Sequence, residues 1–252
     1  MTTRGDGVQT RWPNASPERT QLLACAAVNP HYTAAKSAGE RNIDLQFSPA
    51  LRETIRTRLA AFEHADHERE GLRPAAVVFA LVRCPRSGEA CFLLTERPAT
   101  MNRHAGQFAL PGGRLDPDET DLQAALRELR EELGLDLDAS SVLGRLDDFP
   151  TRSGFRMRPF VAWVEDDSTL APAPSEVAHC FRVPLADLMH AHVPTLREAP
   201  FGDHPVLSIH LHSLDDEVHA PTAAVIYQFR EVALAERDTR VSHFEQPRFA
   251  WC

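Results

Sequence analysis

The sequence predicts an α/β protein in which helices cover both faces of a mixed β-sheet, that is, an α/β/α sandwich. Two observations predict this class. Short apolar runs bounded by turn residues, which are typical of strands, recur along the chain. Stretches with apolar residues three and four positions apart, which are typical of amphipathic helices, are interleaved with these runs. The 252 residues are enough to bury a sizeable core.

The first elements follow an N-terminal extension. Residues 1–45 are punctuated by Pro, Asn and Ser and predict an arm, whereas residues 46–252 predict one domain. Ser48 and Pro49 form an N-cap and first-turn pair, which indicates a helix start. This helix is expected to end near His64, and one of its faces carries four apolar residues: Leu51, Ile55, Leu59 and Phe62.

Six short apolar segments predict strands. The first two, residues 75–82 and 91–95, are joined by a turn over residues 85–88 and predict a hairpin. The other four candidates are residues 107–110, 142–146, 158–164 and 206–212. Two later segments predict helices, one with a proline at its start and one with suitable apolar residues: 183–191 and 221–235. Residues 151–154 predict a loop near the mouth of a site.

Between these elements, residues 110–135 combine a glycine-rich turn with a helix. The turn contains Gly112 and Gly113, where the backbone can approach a ligand because no side chain blocks it. Acidic residues around Glu119 suit a helix start, and Gly134 suits its end. Apolar residues at steps of four, three and four predict a core-facing stripe: Leu122, Leu126, Leu129 and Leu133.

Three glutamates of this helix form an acidic group. Glu128, Glu131 and Glu132 stand at i, i+3 and i+4, so their carboxylates are expected to converge on one exposed patch. Like charges so placed repel one another, and a divalent cation would turn that repulsion into attraction. Hard oxygen ligands select Mg²⁺ or Mn²⁺, and Arg127 could brace Glu131 by a charge-assisted hydrogen bond. The alternative is a solvated acidic helix face that binds no metal.

The spacing of these residues resembles the Nudix box, G-x5-E-x7-R-E-U-x-E-E-x-G-U, in which U is apolar. Every defined position of the box is matched: Gly113, Glu119, Arg127, Glu128, Leu129, Glu131, Glu132, Gly134 and Leu135. The resemblance implies the α/β/α sandwich around a mixed sheet. It also implies a hydrolase that cleaves a diphosphate linked to another moiety, by metal-assisted attack of water on phosphorus.

The same resemblance implies roles for individual residues. Glu128, Glu131 and Glu132 would hold Mg²⁺ or Mn²⁺, with the carbonyl of Gly113 as a further ligand. Two other residues of the box would orient and close the loop and helix: Glu119 and Arg127.

The resemblance leaves the general base open. Family members take it either from the box, where Glu131 or Glu132 could serve, or from a later loop. Glu176 stands in such a loop, ahead of an apolar run. The alternative is that Glu176 is an ordinary exposed loop glutamate without a role in catalysis.

The segment just upstream resembles the signature of coenzyme A pyrophosphatases, L-L-T-x-R-(S/A)-x3-R-x3-G-x3-F-P-G-G. The positions that fit are Leu93, Leu94, Thr95, Arg97, Gly106, Pro111, Gly112 and Gly113. The departures are Pro98 for the small residue, Leu110 for Phe and Asn102 for the second arginine. Arg103 follows one position later and could take over, because arginine forms forked contacts with phosphate that asparagine cannot form.

The two resemblances together imply hydrolysis of coenzyme A or its derivatives to 3′,5′-ADP and (acyl-)4′-phosphopantetheine. The candidate substrate-binding residues are Arg97, Arg103, Gly112 and Gly113. One alternative is a Nudix diphosphatase for ADP-ribose or NADH, and another is a Nudix module that senses a nucleotide without turnover. If Arg97 and Arg103 only cap strands or pair with acids, they carry no information about the substrate.

Composition limits the remaining classes. The net charge of -9 argues against a nucleic-acid partner, since such proteins usually show a basic footprint. Neither a signal peptide nor an apolar run of about 18 residues is visible, so no membrane partner is expected and a cytoplasmic location is predicted. The five cysteines are scattered and expected to be reduced. The aromatic-rich residues 244–251 are expected to dock on the body or on a second subunit, which would make a homodimer.

Overall fold

The computed structural model describes residues 43–67, 71–99 and 106–251. The helices of this part are α1 (Pro49–Ala61), α2 (Asp121–Leu133) and α3 (Thr222–Phe229), which continues as a π-helix over Arg230–Leu234. The strands are β1 (Arg73–Arg83), β2 (Ala90–Glu96), β3 (Phe108–Ala109), β4 (Gly112–Arg114), β5 (Val142–Arg145), β6 (Phe149–Pro150), β7 (Phe155–Trp163), β8 (His179–Pro184), β9 (Thr195–Arg197), β10 (Val206–Leu211) and β11 (Asp216–His219). The predicted arm lies almost wholly outside the described residues, so the division at residue 45 stays a prediction. Arg103 also lies outside the described residues.

An eight-stranded mixed sheet is the centre of the described part of the chain. Its middle strand, β1, runs parallel to β7, from the pair Arg73 and Phe155 to the pair Leu81 and Trp163. β1 pairs antiparallel with β2 and β4. β3 and β8 pair antiparallel with β2, and β5 and β6 pair antiparallel with β7. The sheet is therefore mixed, as the sequence predicts.

Alternate residues of β1 point to opposite faces of this sheet, and helices cover both faces. Val78 and Val82 belong to one buried cluster with Leu129 of α2. On the other face Phe79 stacks on Phe229 of α3, with ring centroids 4.0 Å apart, in a cluster that also contains the apolar face of α1. The predicted α/β/α sandwich is confirmed.

α1 begins where the sequence predicts. The Ser48 hydroxyl accepts a hydrogen bond from the N–H of Leu51 at 3.2 Å, and Pro49 is the first helical residue. A capping hydroxyl and a first-turn proline act within the first helical turn, so the sequence alone predicts the start of α1.

A second sheet of three strands, in the order β9, β10 and β11, follows the main one. Its middle strand contributes Leu207 and Ile209 to the cluster that contains α3. Residues 244–251 dock beside it, where the N–H of Glu245 donates to the carbonyl of Pro205 at 2.9 Å. The expectation that this segment packs on the body is confirmed, and the homodimer stays a prediction.

The helix predicted over residues 183–191 is wrong in its first part. Val183 and Pro184 are the last residues of β8, and only a short 3-10 helix, Leu185–Met189, follows. β8 is held by pairing with β2 over six residue pairs. Such pairing depends on a strand distant in sequence, which local patterns do not reveal. The short strands β4, β6, β9 and β11 are likewise absent from the prediction.

The core stripe of α2 differs in detail from the predicted one. Leu129 is fully buried, but Leu122 and Leu126 are only partly buried. Ala124 and Ala125 are fully buried in their place. Small side chains at these positions let the helix approach the sheet closely.

The structure bears on two expectations drawn from composition, the state of the cysteines and the absence of a membrane-spanning segment. Cys91 and Cys180 are free and buried, whereas Cys84 is disulfide-bonded, so the expectation of reduced cysteines is wrong for Cys84. Among the described residues, no helix has the length and apolar character needed to cross a membrane.

Candidate active site

The turn over residues 110–113 brings the backbone of β4 against β1. Gly112 lies opposite Val77 in the ladder, with a φ of 152°. A Cβ at Gly112 would overlap the backbone of Ala76 and Val77, so only glycine fits there. This close approach directs the Gly112 N–H at α2, where Oε2 of Glu132 accepts it at 3.2 Å.

α2 is fixed at both ends by local caps. The Thr120 hydroxyl accepts the N–H of Gln123 at 3.3 Å, and the Gln123 side chain accepts the N–H of Thr120 at 2.9 Å. Gly134 ends the helix in the left-handed conformation, with a φ of 71°. The helix so placed brings Glu128 against Gly113, where an added Cβ would collide with the Glu128 carboxylate.

Arg127 connects the loop before α2 to the helix itself. Its Nε and Nη2 donate to the two carboxylate oxygens of Glu119, each at 2.9 Å. Its Nη1 donates to Glu128 at 2.9 Å and to Glu131 at 3.0 Å, and Nη2 also donates to the carbonyl of Arg114 at 3.0 Å. The hydrogen bonds from Arg127 lower the pKa of Glu119. The guanidinium therefore holds the loop and helix in one arrangement.

Three carboxylates meet beside the glycine turn, and we call them the acidic cluster. Glu128 and Glu132 come from α2, and Glu176 comes from the loop ahead of β8. One carboxylate oxygen of each lies within 4.8 Å of the other two. Glu132 is buried, Glu128 is partly buried and Glu176 is exposed, so the acidic cluster opens to solvent on the Glu176 side.

The loop that carries Glu176 is held by hydrogen bonds to the end of α2. The N–H of Ala173 donates to the carbonyl of Glu132 at 2.8 Å, and the N–H of Ala171 donates to that of Leu133 at 2.9 Å. On its other side, the N–H of Ala178 donates to the carbonyl of Glu96 at 2.8 Å. These contacts bring Glu176 against the helix, although the two segments are far apart in the sequence.

Burial and like charges dominate the electrostatics of the acidic cluster. Burial raises the pKa of Glu132 to about 8, and the charge of Glu128 adds to the rise, while the N–H of Gly112 and the charge of Arg97 act in the opposite direction. Burial also raises the pKa of Glu128, against the hydrogen bond from Arg127. Oxygen ligands that converge and repel in this way fit a hard divalent cation such as Mg²⁺ or Mn²⁺.

A cavity of about 920 Å³ extends from the acidic cluster along β1. The predicted residues Arg97, Gly112 and Gly113 line it, as do the exposed Arg114 and the apolar side chains of several strands. Walls also come from the predicted mouth loop, from the start of α3 and from the docked segment: Thr151, Ser153, Pro221, Thr222 and Ala250. The space exceeds that of a diphosphate and suits a nucleotide conjugate.

The comparison with protein families identifies this arrangement. The model of the NUDIX domain matches residues 72–203, which are 132 of the 252 residues. The chain belongs to the Nudix family. Its Nudix domain contains the sheet from β1 to β8, α2 and the whole acidic cluster.

Curated relatives carry the same domain. The protein named "Uncharacterized Nudix hydrolase NudL" from Cronobacter sakazakii is 40% identical over 118 residues, which are 46% of this chain and 60% of the relative. Its namesake from Escherichia coli (strain K12) is 37% identical over 119 residues, which are 47% of this chain and 60% of the relative. The chain thus spans about three fifths of the length of the curated relatives that it matches.

Solved structures of the family are also similar. A MutT/nudix family protein from Enterococcus faecalis is 19% identical, with a TM-score of 0.41 over 75% of this chain and 73% of that one. The NUDIX domain of Shewanella oneidensis NrtR, solved with ADP ribose, is 19% identical, with a TM-score of 0.37 over 48% of this chain and 78% of that one.

Within the Nudix box, the three glutamates of α2 do not share one exposed patch. Glu132 is buried, with 5% of its surface exposed, whereas the side chain of Glu131 is 50% exposed. Glu131 is paired with Arg127 and is not part of the acidic cluster. The third member of the cluster is Glu176, which comes from the later loop. The expectation of a single exposed patch is therefore wrong for Glu132, because β4 covers that edge of the helix.

Sequence patterns did not indicate several residues that line the cavity. Arg73 and Phe155 are neighbours across β1 and β7, and Thr222 and Ala250 come from segments beyond the match to the family model. Arg73 is the first residue of a buried strand, a position at which an isolated cation carries no periodic signal. A search for charged residues at the ends of predicted buried strands would have found it.

Proposed function

We propose that the protein hydrolyses coenzyme A or its derivatives to 3′,5′-ADP and (acyl-)4′-phosphopantetheine, with Mg²⁺ or Mn²⁺ as the cofactor. The observation that carries this proposal is the acidic cluster at one end of a nucleotide-sized cavity, beside a glycine turn that admits a diphosphate. In the coarser form of the proposal, the substrate is a nucleoside diphosphate linked to another moiety.

The acidic cluster would hold the metal. Glu128, Glu132 and Glu176 supply the carboxylates, and the carbonyl of Gly113 stays a proposed further ligand. A bound divalent cation supplies charge neutralisation for the phosphates and a lower pKa for a bound water. Arg127 keeps Glu128 oriented through its hydrogen bond of 2.9 Å.

The residues of the chain position the diphosphate and accept the proton. Gly112 and Gly113 leave room for phosphate oxygens, and Arg97 lines the same end of the cavity. The Nε of Arg97 is buried and has no hydrogen-bond partner among the described residues, so it is available to a phosphate oxygen. The water oxygen bonds to phosphorus, the bridging P–O bond breaks, and its electron pair leaves with the departing phosphate.

Glu176 is our choice for the base that takes the proton of the attacking water, through the carboxylate oxygen that is not offered to the metal. It is the exposed member of the acidic cluster, so water reaches its carboxylate directly. Glu131 is less suited, because its carboxylate already accepts a hydrogen bond from Arg127 at 3.0 Å. Glu132 is less suited because it is buried against the N–H of Gly112.

Three features support coenzyme A over smaller conjugates. The described residues of the segment that resembles the coenzyme A signature contribute to β2, β3 and β4, where Thr95 donates to the carbonyl of Ala109 at 3.0 Å and Arg97 lines the cavity. Leu110, which stands where the signature has Phe, is buried and still presents an apolar surface to the cavity. A cavity of about 920 Å³ also leaves room beyond the nucleotide.

The test is product identification across a panel of substrates. Coenzyme A, ADP-ribose and NADH are incubated with the full chain in Mg²⁺, in Mn²⁺ and in excess chelator, and the products are separated by mass spectrometry. We expect 3′,5′-ADP and 4′-phosphopantetheine from coenzyme A, only with metal. Reaction in water labelled with ¹⁸O identifies the phosphorus that is attacked, because one product gains the label.

Two variants make the result specific to the site. Glu132→Gln is expected to lower turnover by orders of magnitude. Glu198→Gln, which changes an exposed glutamate outside the cavity, is the matched control and should retain full turnover. Turnover of ADP-ribose or NADH without cleavage of coenzyme A would show that coenzyme A is not the substrate. Tight nucleotide binding without any metal-dependent product would instead indicate a sensing module.

A further inference from the structure

Arg73 carries a charge that no acid of the described chain neutralises. Most described arginines form ion pairs with Asp or Glu, as Arg58, Arg152 and Arg158 do. In the described residues, Arg73 forms no such pair, although it lines the cavity. An uncompensated cation in a cavity favours an anionic ligand.

Arg73 lies at the end of β1 that is away from the acidic cluster. Arg73, Ala75 and Val77 alternate along β1 and all line the cavity, so they share one face of the strand. Val77 lies opposite Gly112, the residue that contacts Glu132. The distance along the strand from Arg73 to Val77 is about 13 Å at the usual rise per residue. A diphosphate held at the glycine turn is shorter than this distance.

The guanidinium of Arg73 is held in place by contacts that leave its charge intact. Its Cζ lies over the ring of Phe155, 4.0 Å from the centroid. Its Nη2 donates to the carbonyl of Ser153 at 3.1 Å. An aromatic face and a single carbonyl orient the guanidinium without occupying all of its donors. A phosphate could therefore form forked hydrogen bonds with it at small entropic cost.

The loop that positions Arg73 is itself clamped. Arg152 donates to both carboxylate oxygens of Glu245, with Nη2 to Oε1 at 2.5 Å and Nε to Oε2 at 3.1 Å. The N–H of Arg152 donates to the Gln246 side chain at 3.1 Å, and Glu245 and Gln246 are both buried. The docked segment thus keeps the carbonyl of Ser153 and the ring of Phe155 in fixed positions beside Arg73.

We propose that Arg73 is a specificity residue that binds a second phosphate of the substrate, a phosphate monoester on the ribose, at the end of the cavity away from the acidic cluster. This inference rests on the proposed function in that the ligand is a nucleotide. A phosphate on the 2′ or on the 3′ oxygen of the ribose has the same chemistry, and the experiment separates the two.

The test measures binding without metal, so that no hydrolysis takes place. Calorimetric titrations of the full chain with AMP, adenosine 2′,5′-bisphosphate and adenosine 3′,5′-bisphosphate give three dissociation constants. We expect one bisphosphate to bind about tenfold or more tightly than AMP, as charged hydrogen bonds of this kind permit. The preferred isomer identifies the position of the second phosphate.

Arg73→Ala should abolish this preference while leaving the affinity for AMP unchanged, and Arg73→Lys should restore part of it. Arg83→Ala is the matched control, because Arg83 ends the same strand, also lies over a phenylalanine ring, at 4.9 Å from the Phe47 centroid, and does not line the cavity. It should bind as the wild type does. Retention of the preference in Arg73→Ala, or a proportional loss of AMP affinity, would overturn the proposal.

The outcome is distinguishable from failure of the proposed function. A wild-type protein that hydrolyses nucleotide conjugates but binds AMP and both bisphosphates equally would overturn the role of Arg73 alone. A protein that shows the Arg73-dependent preference but yields no product with Mg²⁺ would overturn hydrolysis and support the phosphate site.

Discussion

Removal of the charge of Glu132 is expected to stabilise the metal-free protein at alkaline pH. The carboxylate is almost fully buried, and burial together with the charge of Glu128 raises its pKa from 4.5 to about 8. Each unit of pKa difference between folded and unfolded chain corresponds to about 1.4 kcal/mol. Ionisation of Glu132 therefore costs the folded state on the order of 5 kcal/mol when the pH lies well above 8.

The sign follows from proton binding. Because the pKa of Glu132 is raised in the folded state, the folded protein keeps a proton that the unfolded chain has lost between about pH 4.5 and pH 8. The free energy of unfolding should fall across that interval and then level off. A glutamine side chain has no ionisable proton, so the Glu132→Gln variant lacks this part of the fall.

The assay is chemical denaturation in excess chelator at several values between about pH 5 and pH 9. We expect the stability of the variant relative to the wild type to increase by several kcal/mol over this range. Mg²⁺ added near pH 9 should stabilise the wild type more than the variant, because the ion binds the folded carboxylates.

Parallel curves for the wild type and Glu132→Gln would refute the reasoning. They would mean that the Glu132 carboxylate is as well solvated in the folded chain as in the unfolded one. In that case the burial of Glu132 under β4 would not destabilise its charged form, and a bound cation would not be needed to offset that destabilisation.

Four further substitutions test the acidic cluster and its surroundings. Gly113→Ala should lower turnover and the apparent Mg²⁺ affinity by about tenfold or more, because the new methyl group would displace the carboxylate of Glu128; unchanged Mg²⁺ titrations would contradict this. Arg127→Lys should lower the free energy of unfolding by about 1–3 kcal/mol, measured by denaturation, since lysine cannot form the forked contacts to three carboxylates. The family resemblance predicts that Glu131→Gln lowers turnover by orders of magnitude, whereas the geometry predicts a smaller loss than for Glu176→Gln. Mg²⁺ titrations of turnover in both variants decide between the two expectations.

Elements with local determinants could be predicted from the sequence. Thr120 and Gly134 bound α2 because a capping hydroxyl and a left-handed glycine act within one helical turn. The glycine turn could be predicted for the same reason. β8 and its preceding loop could not be predicted, because they are held by β2 and by the end of α2, which lie far away in sequence. The metal candidates were therefore predicted on the helix, while the inclusion of Glu176 rested on family resemblance.

The difference between Glu131 and Glu132 follows from the helix surface. They stand at i+3 and i+4 from Glu128, so charge spacing alone treats them alike. Glu132, however, follows the fully buried Leu129 by three residues, so it stands on the same side of the helix as the core stripe. Glu131 follows Leu129 by only two residues, which places it on the far side of the helix, where its half-exposed side chain pairs with Arg127.

A glutamate at the edge of a core stripe contradicts what stability alone would select. An apolar residue there would extend the contact between α2 and the sheet, and the raised pKa of Glu132 measures what the folded protein loses by keeping a carboxylate. The loss is localised at the cavity, next to a glycine that is required because β4 approaches β1 closely. Destabilising features concentrated at one concave surface indicate selection for a ligand, and the three acids indicate that this ligand is a cation.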